Sequence, residues 1–142
     1  MRTITLEEHF ATPGFLDGPG RELKDQALKY NSSRAIRLIE QLCDVGDKRL
    51  AEMDTAHVDM QVLSLTSPGT EQLEAAEATV LARDTNDYLA DAMKKHPARL
   101  SGFASLPTAA PDKAAQELRA NASGLRQGRP NHRPSRQGAE AA

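Results

Sequence analysis

Apolar and polar residues alternate over Thr3–Phe10, T-I-T-L-E-E-H-F, and a period of two predicts a short strand. Strict alternation puts Ile4 and Leu6 on one face and Thr3, Thr5, Glu7 and His9 on the other, with Glu8 opposite His9. At Ser33–Leu42 the period lengthens. Ala35, Ile36, Leu38, Ile39 and Leu42 form a stripe at helical spacing, with Ser32 or Ser33 as the cap. A second, shorter helix is expected from about Asp47 to Ala56, starting near Asp44 or Gly46 and turning Leu50 and Met53 inward. Met60–Leu65, M-Q-V-L-S-L, reads as a strand covered on both faces, because it is short, mostly apolar and uncharged. Glu71–Lys95 reads as the longest helix, with Ala78, Leu81, Thr85, Tyr88, Leu89 and Ala92 on one side. Lys94, Lys95 and His96 complement its dipole and Pro97 stops it, which gives His96 a structural role. Leu100–Ser105 is the third expected strand, and Pro111-Asp112 opens a helix carrying Ala114, Ala115 and Leu118.

Between these elements lie the breaks. Ala11–Ser32 holds Pro13-Gly14 and Gly18-Pro19-Gly20, from which no regular element is expected. Such a loop directly after a strand serves either a site or a plain surface excursion. His57 follows the second helix where a left-handed residue, usually Gly, ends many helices; a His there carries a strain of about 1 kcal/mol and is read as a loop residue, not a ligand. Thr66-Ser67-Pro68-Gly69 ends the second strand, so Thr66 and Ser67 either face a ligand or cap the next helix. Strand–helix alternation predicts a parallel α/β sheet with right-handed crossovers. Three strands alone leave two open edges. A closed eight-fold βα barrel takes about 250 residues, and the strand–helix units expected here supply about three of its eight.

Composition narrows the function classes. A net charge of -2 with 27% charged residues implies neither a nucleic-acid nor an anionic-membrane partner. No apolar run approaches the roughly 20 residues of a membrane span, and Met1-Arg2 leads straight into the strand without a leader's apolar core, so a cytoplasmic protein is expected. The single cysteine, Cys43, sits in an apolar-periodic stretch and reads as a small buried side chain rather than a nucleophile. From Arg119 the character changes. Residues 119–142 contain one Leu and no Val, Ile, Phe, Met or Tyr, too little apolar surface to order a segment. Residues 1–118 are therefore expected to fold and 119–142 to form a disordered tail. That tail would be either a basic arm for an acidic partner or a segment without function.

The candidate chemistry lies at the end of the first strand. Glu7 and His9, two residues apart, could offer one oxygen and one nitrogen to a single divalent cation. The spacing alone does not separate this from a solvated polar strand end.

Longer motifs are more specific. T-L-E-E-H-F-A-T-P near the start, R-L-A-E-M-D-T-A-H-V-D-M-Q-V-L-S-L-T-S-P-G in the middle, and A-R-D-T-N-D-Y-L-A with H-P-A-R-L-S-G-F-A-S-L-P stand in one order. Together, over residues 2–118, they resemble the amidohydrolase-related decarboxylases, which include the γ-resorcylate, dihydroxybenzoate and aminocarboxymuconate-semialdehyde enzymes. The resemblance implies the first three βα units of a (β/α)8 TIM-type barrel, with a divalent metal, Zn or Mn, at its C-terminal mouth. It implies removal of carboxylate from a small aromatic or unsaturated carboxylic acid without an organic cofactor, and a homo-oligomer. The family's two first-strand ligands fall on Glu7 and His9; Glu8 is not carried over. The remaining ligands, a His and an Asp, and the His and Arg near the substrate come from later strands, for which these residues have no counterpart. His57 stands where relatives commonly have Gly. Relatives continue the last helix into a fourth strand, and a shifted reading frame over Ser123–Asn131 is compatible with such a continuation. The tail is thus also a candidate out-of-frame translation. These readings together predict an enzyme fragment that is inactive as it stands, and the alternative is a small non-enzymatic α/β binding or assembly module.

Overall fold

A computed structural model describes residues 1–30 and 33–122. Its spine is a parallel sheet in the order β1-β2-β3, built from β1 (Ile4–Phe10), β2 (Met60–Leu65) and β3 (Leu100–Gly102). The helices are α1 (Pro13–Asp17), α2 (Arg21–Lys29), α3 (Ser33–Cys43), α4 (Asp47–Thr55), α5 (Ala75–Lys95) and α6 (Pro111–Ala122). The expected α/β alternation and parallel pairing are present. The expected tail, apart from the start that α6 absorbs, lies outside the described residues, as does the expected cap at Ser32.

The helices cover one face of the sheet. Phe10, Leu63 and Leu100 are buried there against Met53 of α4 and Leu89 and Ala92 of α5. Tyr88 stacks on Phe10, with ring centroids 6.3 Å apart. A second cluster, Ala11, Phe15, Leu16 and Leu42, joins α1 to α3. Among the described residues nothing covers the opposite face: Ile4 is 47% exposed, Leu6 65%, and Phe103, just past β3, 50%. Large apolar side chains exposed together on one sheet face mark a surface that normally meets another element. The uncharged pattern of Met60–Leu65 predicted cover on both faces, yet only Leu63 of β2 is fully buried.

Four boundaries differ from the sequence reading. Residues 11–32 contain two helices. Thr12 caps α1, its Oγ1 accepting from Phe15 N–H at 3.1 Å, and Pro13 stands in the first turn, where its missing N–H costs nothing. Gly18-Pro19-Gly20 only separates α1 from α2, and Gly20 lies so close to the Phe15 ring that a Cβ would meet it at 2.3 Å. α5 starts at Ala75, not Glu71, with residues 71–74 forming a turn. β3 ends at Gly102; the Phe103 N–H still donates to Leu63 O at 2.8 Å, and beyond it the Asn86 side chain holds the chain, its Oδ1 accepting from Ser105 N–H at 2.7 Å and its Nδ2 donating to Ser105 O at 2.9 Å. Finally, α6 runs through Arg119 to Ala122, past the compositional break.

His57 adopts the left-handed conformation, φ 56°. Its N–H donates to Asp54 O and that of Val58 to Met53 O, the paired bonds that close a helix with a left-handed residue.

Candidate metal centre

The C-terminal half of β1 is irregular. Thr5 pairs with Gln61 and Glu8 with Leu63, so Leu6 and Glu7 together stand opposite Val62 alone. This is a β-bulge, and Glu7 occupies it at φ 57°, a conformation that costs a non-glycine residue about 1 kcal/mol or more. The extra residue changes which side chains share a face. Thr5, Glu8 and Phe10 lie alongside Gln61, Leu63 and Leu65, while Ile4 and His9 lie alongside Met60 and Ser64. The expectation that Thr5 shares a face with His9 and that Ile4 takes the other is therefore corrected. Unbroken alternation does not survive an inserted residue. Glu8 opposite His9 stands as expected. Glu7 and His9 are both exposed, and Glu8 between them is half-buried.

A groove follows this strand end, lined among others by Glu7, Glu8, His9, Gln41, Arg49 and Thr66. Arg49, the third residue of α4, reaches into it. Its Nη2 donates to the carbonyl oxygens of His9 and Gln41, each at 3.0 Å, its Nη1 to Gln61 Oε1 at 3.1 Å and its Nε to Asp44 O at 2.6 Å. Burial lowers the pKa of this guanidinium, opposed by the nearby charges of Glu8, Asp44 and Glu52. Beneath it the Tyr88 hydroxyl donates to Cys43 O at 2.9 Å, and burial raises the phenol's pKa. Cys43 is a half-buried free thiol whose pKa is likewise raised by burial, with Lys24 opposing.

Thr66 is buried and its N–H donates to Phe10 O at 2.9 Å, which ties the end of β2 to the end of β1. It does not cap α5, whose first flanking residue is Glu74. His57 and His96 lie at the helix ends, after α4 and at the C-cap of α5, as expected. Among the described residues no group of three or more His, Cys, Asp and Glu converges on a point where a metal could sit. The expected pair, Glu7 and His9, is one carboxylate and one imidazole, a chemically suitable but partial set for a divalent cation.

The sequence reading did not single out Arg49. It is the first residue of the R-L-A-E-M-D motif, so the signal was present, but its partners lie 12 and 40 residues away in the chain and only the fold brings them together.

Known proteins share this architecture. The chain is 38% identical to the γ-resorcylate decarboxylase of Rhodococcus jostii over 117 residues, 82% of this chain and 33% of that enzyme. It is similar to the structure of a 2,6-dihydroxybenzoate decarboxylase complexed with 2,6-dihydroxybenzoate, with TM-score 0.74 and 34% identity over 88% of this chain and 37% of the other. It is equally similar to 5-carboxyvanillate decarboxylase of Novosphingobium aromaticivorans, solved with manganese and 4-hydroxy-3-methoxy-5-nitrobenzoic acid, with TM-score 0.74 and 34% identity over 87% and 39% of the two chains. No protein-family model matches the chain. The chain is homologous to the γ-resorcylate and dihydroxybenzoate decarboxylases, which are amidohydrolase-related enzymes, and spans about a third of their length. Its three-stranded parallel sheet corresponds to the N-terminal third of their TIM barrels.

Proposed function

We propose that this chain, a homologue of those aromatic-acid decarboxylases over a third of their length, carries the first-strand half of their metal centre, with Glu7 and His9 as two ligands of a zinc or manganese ion. The observation that carries the reading is the bulge: a glutamate held at positive φ in the strand end, two residues from an exposed histidine. Strained, non-glycine backbone of this kind concentrates at functional sites. A carboxylate oxygen and an imidazole nitrogen suit either ion.

When bound, the metal would orient the substrate carboxylate and stabilise negative charge as carbon dioxide leaves. Glu7 would neutralise part of the cation's charge and His9 would donate a neutral nitrogen. The exposed apolar face carrying Ile4 and Leu6 would line the inside of a closed barrel, where it suits the ring of a small aromatic acid. Two ligands and an open sheet face neither hold a catalytic ion firmly nor exclude water. On this reading the described residues by themselves would not decarboxylate such an acid.

A titration with Mn²⁺ followed by NMR tests the ligand assignment without requiring tight binding, because the ion broadens nearby nuclei even when it exchanges quickly. Of the four histidines, His9 should broaden at the lowest Mn²⁺ concentration, ahead of His57 and His96. Glu7→Ala should remove that preference. Equal broadening of His9, His57 and His96 in the unmodified chain would refute the assignment.

A further inference from the structure

We infer that Arg49 is a positioning residue for the β1 metal ligands: it fixes the main chain of His9 across the bulge and thereby the spacing of the Glu7 and His9 side chains. The inference rests on the proposed metal-ligand role of that pair.

The argument begins with what a guanidinium can do. It presents five N–H donors in a rigid planar fork and keeps its charge even when buried. Four of the bonds Arg49 makes go to oxygens without formal charge, three main-chain carbonyls and one side-chain amide. A half-buried cation whose hydrogen bonds go to carbonyls is costly unless each donor is satisfied. If the need were only to fill space, a Met or Leu would suffice. What the fork adds is a junction. Gln41 belongs to α3, Asp44 to the turn before α4, Gln61 to β2 and His9 to β1, so one side chain ties four segments.

The tie falls just past the irregular part of β1, where His9 is back in register with Ser64. Leu6 and Glu7 are out of step with β2, so the ladder does not fix the backbone between Thr5 and Glu8. Two residues after the bulge comes His9, whose carbonyl Arg49 holds at 3.0 Å. A metal-ligating residue is usually oriented by a partner behind it, and losing such a partner lowers metal affinity about 10–100-fold. Here the partner acts on the ligand's backbone. A lysine ammonium, a point charge with three donors, cannot span the same four oxygens.

The test is the Mn²⁺ titration of His9 in the 142-residue chain and in Arg49→Lys, Arg49→Ala, Gln61→Met and Glu7→Ala, with urea unfolding of each. Arg49→Lys should require roughly tenfold more Mn²⁺ to broaden His9, while its urea midpoint moves little. In Arg49→Ala, millimolar guanidinium should restore the wild-type titration, a rescue that general destabilisation would not show. Gln61→Met keeps Arg49 and frees one of its N–H groups, and should weaken the response about two- to threefold. It supplies a reading if the Arg49 variants do not fold. Wild-type Mn²⁺ dependence in Arg49→Lys or in Gln61→Met, or tighter binding in Arg49→Ala through relief of charge repulsion, would overturn the inference. Loss of selectivity in the unmodified chain, or its persistence in Glu7→Ala, would instead overturn the ligand assignment and the inference with it.

Discussion

His57→Gly is expected to stabilise the protein. His57 sits at φ 56° just after α4, exposed, with its N–H and that of Val58 closing the helix onto Asp54 O at 3.2 Å and Met53 O at 2.9 Å. An L-residue in this conformation suffers a contact between Cβ and its own backbone that costs about 1–2 kcal/mol. Glycine avoids it but loses more freedom on folding, an offset of about 0.5–1 kcal/mol. The net gain is about 0.5–1 kcal/mol, since an exposed imidazole contributes little packing of its own. In urea, with a slope of about 1–3 kcal/mol per molar, the midpoint should rise by a few tenths of a molar at unchanged slope. His57→Ala is the control: it removes the imidazole but keeps the Cβ, and should leave the midpoint near wild type. Hydrogen exchange at the Val58 amide, which reports the helix end directly, should slow in the glycine variant alone. If Gly and Ala behave alike at both readouts, the strain assigned to His57 does not exist.

Two further outcomes follow from packing and ionisation. In Gly102→Ala the new Cβ would lie 2.4 Å from Leu89 Cδ2 and 3.2 Å from Leu63 O, so the variant should lose about 1–3 kcal/mol in thermal or urea unfolding; wild-type stability would mean that β3 and α5 are not in close contact. Tyr88→Phe should lose about 1 kcal/mol near neutral pH with the hydrogen bond to Cys43 O. Burial, with Cys43 and Asp44 adding to it and Arg49 opposing, raises the phenol above its ordinary value of 10.0. Its folded pKa therefore exceeds the unfolded one, so this contribution is complete below about pH 10 and fades as pH rises through the folded value. The stability gap between wild type and Tyr88→Phe should shrink in that window, and a gap that widens there would contradict the sign.

Some features needed nothing but the local pattern. β2 spans Met60–Leu65 as its apolar run predicts, and α4 follows its stripe to within a residue, ending in the left-handed His57 that the sequence flagged. Both are set by neighbours a few positions apart, and such contacts repeat in the sequence with a readable period. Longer motifs carried the family resemblance and so marked Glu7 and His9 as the residues to watch. Residues 11–32 were harder, because Pro and Gly signal a break without saying whether a capped turn of helix fits between two of them. There the decision rested on Thr12 Oγ1 and on the Phe15 ring packed over Gly20.

At the candidate centre the division is sharper. Which residue types stand at the end of β1 was written in the sequence. Which way they face was not, because facing depends on register against β2, and one inserted residue at Leu6-Glu7 reverses the alternation. Likewise nothing local marks the end of β3, beyond which the Asn86 side chain, a helix away, holds the backbone of Ser105. Arg49 is the same case, one of several arginines in the sequence and the junction of four segments in the fold. Periodicity reports on neighbours along the chain. Bulges, strand ends and guanidinium junctions are settled by hydrogen-bond partners that are distant along the chain, and only the folded arrangement brings those donors to their acceptors.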